Sequence, residues 1–105
     1  MDTYALIWRA HETDDTFDQH AFNERMPALF EWLKQLKRES KLLACGGGGF
    51  ECHPGGLTII RAESPEEAQM HANQSPLSDL GTTEIFFWGL YYANLSELNQ
   101  ASKLE

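Results

Sequence analysis

The 105-residue chain predicts an α+β domain of ferredoxin-like type, in which a four-stranded antiparallel sheet carries two helices on one face. Three observations predict it. Runs rich in β-branched and aromatic residues alternate with two stretches of helical periodicity in the order strand, helix, strand, strand, helix, strand. No repeat, low-complexity linker or shift of composition divides the chain, so a single domain is expected over residues 1–105. Six of the eight glycines fall between Gly46 and Gly56, where they read as a flexible hairpin connection between the second and third strands.

The first strand is Tyr4-Ala5-Leu6-Ile7-Trp8-Arg9, which runs into the polar stretch from His11 to Thr16. Met26, Leu29, Phe30, Leu33 and Leu36 fall at i, i+3, i+4, i+7 and i+10, the stripe of an amphipathic helix. Pro27 suits its first turn, so Phe17–Arg25 is expected as a separate helical turn, because a proline inside one long helix costs about 3 kcal/mol. Lys34, Lys37, Arg38 and Lys41 crowd the helix end, the sign the helix dipole favours there. Lys41–Cys45 and Leu57–Ala62 are the second and third strands. Ser64, Pro65 and Glu67 then supply a capping serine, a first-turn proline and a capping-box glutamate, and the helix that follows sets Ala68, His71 and Ala72 on one side. Ser75-Pro76 ends it. Glu84–Tyr91 is the last and most apolar strand, with a short C-terminal helix expected at residues 94–103. Leu104-Glu105 reads as a cloning scar.

Alternation sets large apolar groups on both faces of this sheet: Tyr4, Leu6 and Trp8 oppose Ala5 and Ile7, while Ile85 and Phe87 oppose Phe86 and Trp88. Two helices cover only one face. A homodimer packed sheet against sheet is therefore the expected assembly.

Sixteen Asp and Glu against eight Lys and Arg give a net charge of -8, which disfavours nucleic-acid and anionic-membrane partners. No apolar run reaches 18 residues and no export signal precedes the first strand, so a cytoplasmic protein with Cys45 and Cys52 as free thiols is expected.

The pattern resembles the YCII-related family of small dimeric α+β barrel proteins. The resemblance rests on the opening Tyr-Ala-Leu-Ile strand and on Glu39-Ser40-Lys41-Leu42-Leu43-Ala44 followed by glycines. It extends through the run from Ile59 to Ala68, and through Pro76 followed by Gly81. It spans about residues 3 to 90. It implies a ferredoxin-like fold, a homodimer and, in some members, a pocket whose His and Asp act on small cyclic, often chlorinated or hydroxylated substrates. The chain departs from the family pattern at that pair. Counting back from Ser40, which stands where a glycine is usual, the histidine position holds Leu29. The Asp-Pro that usually closes the second helix is Ser75-Pro76, and His71 stands where an aromatic is usual.

With that pair out of place, His20 and His53 are the candidate general bases, with Asp18 as a carboxylate that could orient His20. The plainer reading of His20 is a solvated residue in an acidic segment. His71 reads as packed at a helix–sheet contact and His11 as exposed loop. Cys45, Cys52 and His53 lack the paired knuckle of a zinc site, so no metal is expected, and no cofactor. Gly46–Gly49 lacks the Lys and Ser or Thr of a phosphate loop, and close approach of backbone or ligand better explains it. Arg9, Trp8, Arg61, Glu84 and Trp88 are the candidate ligand contacts, although core and dimer packing is the more common fate of such aromatic residues, and pairing with Glu84 or Glu63 is the plainer explanation of Arg9 and Arg61. The expected function is binding of a small cyclic or phenolic ligand by a homodimer. The alternatives are a lyase or isomerase using His20 or His53, and a non-catalytic interaction module.

Overall fold

The computed structural model describes residues 1–94 and Leu104. Its elements run β1 (Asp2–Ala10), α1 (Gln19–Arg38), β2 (Leu42–Phe50), β3 (His53–Ala62), α2 (Pro65–Asn73) and β4 (Gly81–Phe87). The strands form one antiparallel sheet in the order β2-β3-β1-β4, and the predicted βαββαβ architecture is the one observed. The C-terminal helix expected at 94–103 falls outside the described residues, apart from Asn94, which is not helical.

Tyr4, Leu6, Trp8 and Ala10 all point toward the helices. Tyr4 and Leu6 join Leu36, Ile60, Ala62, Ala68 and Ala72 in the main core. Trp8 and Ala10 join Leu77 in a second cluster, flanked by Phe17, Phe22, Leu29 and Leu80. The Trp8 indole N–H donates to the Leu77 carbonyl (3.0 Å), which satisfies the one polar atom that a buried tryptophan carries.

Helix α1 is one 20-residue helix with Pro27 inside it, not the two pieces expected. It starts at Asp18, whose side chain accepts from the Ala21 N–H (2.9 Å). Pro27 and Asn23 are both exposed, so the Asn23 carbonyl that proline leaves without its helical donor faces water. Burial of Leu33 and Leu36 beyond the proline, with Phe22 and Leu29 packed on the Trp8 cluster, offsets the lost bond. The helix ends at Glu39 and Ser40, with Ser40 at φ 60. The Lys41 N–H donates to Leu36 and the Ser40 N–H to Lys37, a Schellman closure whose left-handed residue is normally glycine. Ser40→Gly is therefore expected to raise stability by about 0.5–1 kcal/mol, or about 2–6 °C in Tm, read by thermal melting. An unchanged or lower Tm would count against strain at Ser40.

The glycine cluster is not a connection. Gly46–Gly49 continue β2, and the link to β3 is a two-residue turn at Glu51 (φ 52) and Cys52 (φ 65). Positive φ at both central residues is the hairpin geometry that matches strand twist. The sequence carries no Asn-Gly or Asp-Gly there, so the turn gave no signal and the glycines drew it instead. The Asp14 N–H donates to the Cys52 carbonyl (2.7 Å), tying the β1–α1 loop to the hairpin tip.

Candidate functional site

The sheet face turned away from the helices holds the candidate site. Directly paired residues share a face, so the open-face positions form rows across the four strands. Phe86, Ala5, Ile59 and Ala44 make one row; Glu84, Ile7, Leu57 and Gly46 the next; Thr82, Arg9, Gly55 and Gly48 the third. The first two are apolar apart from Glu84, with Leu57 and Phe86 exposed. The third row ends in polar groups.

Along β2 this face loses its side chains. The result is a hollow of about 390 Å³, floored by Gly46–Gly49 and walled by Phe50, Leu57, Ile59, Ala44 and Cys45, within the size range of small-molecule sites. The glycines serve two purposes. A Cβ at Gly46 or Gly48 would meet no atom within 4 Å, so these positions keep space open. A Cβ at Gly55 would lie 2.3 Å from Phe50 Cδ2, so Gly55 is the seat of the Phe50 ring that ends the hollow.

The polar end of the face carries Arg9, which pairs with Glu51 at the hairpin tip (3.2 Å) and not with Glu84 or Glu63. His53, opposite Phe50 in the register, donates its Nδ1–H to the Ala10 carbonyl (3.0 Å). A carbonyl only accepts, so in the neutral ring the lone pair lies on Nε2, the state a general base needs. His11 meets Thr82 Oγ1 through Nε2 (3.0 Å), and its N–H donates to the Leu80 carbonyl. Sequence reasoning read His11 only as exposed loop and did not single out Thr82, because only the β1–β4 register brings them beside Arg9. The hollow is also lined by Cys45, whose thiol is pushed up by desolvation and so stays protonated at neutral pH.

The other expected residues stand elsewhere. His20 pairs with Glu24 one turn along α1 (2.8 Å) and is largely exposed, while Asp18 caps that helix. Both lie in the helix layer, across the sheet from the hollow. Trp8 is in the core. Arg61 is exposed on the open face opposite Thr3, and the Trp88 N–H donates to the Thr3 carbonyl. Leu29 packs against the Trp8 cluster, and the buried Ser75 accepts from the Leu77 N–H through its hydroxyl (3.3 Å). The two positions where the resemblance implies an acid–base pair thus hold a packing residue and a backbone cap.

A separate polar network joins α1, β2 and α2. Lys41 Nζ meets Glu67 Oε1 at 2.6 Å and Glu39 Oε1 at 3.5 Å, while Glu67 Oε2 accepts from the Glu63 N–H at 2.6 Å. The Lys41 bond, then the Glu63 N–H, lower the Glu67 carboxyl to about 2. His71 is buried as expected, but its Nε2 lacks a hydrogen-bond partner and lies 3.5 Å from Glu67 Oε1.

Among the described residues no group of three or more His, Cys, Asp or Glu is placed to hold a metal ion, and no helix is long and apolar enough to cross a membrane. The family model of the YCII-related domain matches residues 3–88. A search of curated proteins finds no match. Among solved structures the fold is similar to 5-chloro-2-hydroxyhydroquinone dehydrochlorinase (TftG) from Burkholderia phenoliruptrix AC1100, in complex with 2,5-dihydroxybenzoquinone. That likeness has a TM-score of 0.63 and 21% identity, and covers 82% of this chain and 93% of the other.

Proposed function

Because the chain belongs to the YCII-related domain family, we propose that it is a homodimer that binds a small cyclic, hydroxylated compound in the glycine-floored hollow. The observation that carries this reading is the hollow itself, a strand stripped of side chains on an apolar sheet face. A flat surface would favour an interaction module; a concavity of ring size favours a ligand. The ligand named for the structural neighbour, 2,5-dihydroxybenzoquinone, belongs to the class proposed. Exposed Leu57 and Phe86 support burial of the same face against a second copy, which would close the hollow from above. The two free cysteines fit a reducing, cytoplasmic setting.

Leu29 and Ser75 stand against the family's acid–base chemistry, so binding is proposed ahead of turnover. His53 favours the second reading, a proton-moving lyase or isomerase, because its Nδ1 bond leaves Nε2 free to act as base.

Calorimetric titration with 2,5-dihydroxybenzoquinone and simple phenols tests the binding. Saturable binding is expected for the parent and at least about tenfold weaker binding for Gly48→Leu, whose Cβ would meet no atom within 4 Å and whose side chain would rise from the floor of the hollow. Equal binding by Gly48→Leu would move the site elsewhere. Absence of binding by the parent would remove the reading.

A further inference from the structure

The third row of the open face joins the hollow to a charge. Arg9 faces Gly55, and Gly55 faces Gly48 in the floor. The arginine therefore springs from a point two strand spacings, about 10 Å, from the middle of the hollow. An arginine side chain and one benzenoid ring together span that gap. The Phe50 ring, seated over Gly55, lies between them as an aromatic wall.

Arg9 is held by little. Its Glu51 partner is 81% exposed and sits at the tip of the hairpin. Ion pairs of this kind contribute about 0–1 kcal/mol, so the carboxylate is readily exchanged. What Glu51 offers Arg9 is a flat anionic oxygen, and a guanidinium binds such groups through its planar fork of donors. The chain carries a net charge of -8, so a bound anion requires a cation at its own site.

Resting on the reading of the hollow as a ring-binding site, we infer that its ligand is an anionic ring compound, a phenolate or aryl carboxylate, whose charged oxygen displaces Glu51 from Arg9. Glu51 is then a placeholder carboxylate, and Arg9 sets the charge specificity of the site.

Two probes of similar size separate ring from charge. Benzoate is an anion at neutral pH, whereas phenol is neutral because its hydroxyl, like that of tyrosine, titrates near about 10. By calorimetry, Glu51→Gln is expected to tighten benzoate by about three- to fivefold, the most that releasing so weak a pair allows, and Arg9→Gln to weaken it by about tenfold, with phenol within about twofold of the parent in both. Both residues lie at the rim, and thermal melting of each variant checks that the fold is kept. Benzoate affinity indifferent to both substitutions, with phenol still lost in Gly48→Leu, would overturn the anion inference and leave ring binding standing. Failure of benzoate alone to bind the parent would overturn the anion inference, and failure of both probes would overturn both.

Discussion

Gly81→Ala is expected to destabilise the domain by about 3 kcal/mol or more, lowering Tm by about 10 °C or more. Gly81 is buried at the start of β4, opposite Ala10. A Cβ there would lie 2.4 Å from the Arg9 carbonyl oxygen and 2.6 Å from Cε2 and Nε1 of the Trp8 indole. Neither can give way. The carbonyl belongs to the central strand, and the indole is held by its bond to Leu77 and by Phe22 and Phe17 at ring centroid distances of 6.1 and 6.5 Å. Relief would require β4 to move off β1, which would lose the register that aligns Thr82 with Arg9 on the open face. Gly46→Ala is the control, since its Cβ would meet nothing within 4 Å. A Gly81→Ala melt within about 2 °C of the parent would show that the contact with Trp8 is not as tight as described.

Glu67→Ala is expected to lower Tm by about 8 °C or more. One substitution removes three contacts: the bond to Lys41, the bond to the Glu63 N–H and the approach to His71. It also strips the nearer of two carboxylates from a mostly buried lysine, which leaves Glu39 at 3.5 Å as the remaining one. The pH dependence identifies the cause. Glu67 titrates at about 2 in the folded protein against 4.5 ordinarily, so its contribution to stability is fully present above about 4.5 and is lost as pH falls from there toward 2. The parent's Tm is therefore expected to fall through that window more steeply than the variant's, so the two curves converge on acidification. Parallel curves from pH 6 to pH 2 would remove Glu67 as the source.

How much of this was legible in the sequence differs from element to element for physical reasons. The α2 start was readable because capping is local: Ser64 and Glu67 lie within one turn, and the serine hydroxyl accepts from the Glu67 N–H as the spacing predicts. Ser40 was readable by position, and its positive φ fits the glycine that the resemblance implies there. Pro27 misled because its cost is local while its compensation, the packing of Phe22 and Leu29 on Trp8, comes from residues far along the chain. The glycine run misled in the same way. Low strand propensity is a local property, and pairing of Gly46–Gly49 with Pro54–Leu57 overrode it. At the site, Arg9 was visible as a charge ending an apolar strand. Its partner Glu51 and its neighbours Thr82 and His11 were not, because strand register decides them.

The glycine floor also has a thermodynamic side. Glycine in the middle of a strand lowers stability by about 0.5–1 kcal/mol relative to alanine, because more backbone entropy is lost on folding. Four in a row forgo about 2–4 kcal/mol, a large share of the 5–15 kcal/mol typical of a whole domain. At Gly46 and Gly48 no neighbouring atom requires the omission, so packing does not explain it. Selection for robustness alone would fill those two positions, and selection for an empty space would hold them bare. The same residues thus set stability and capacity against each other, and more thermostable relatives of this chain should show the exchange as bulkier residues in β2 and a shallower hollow.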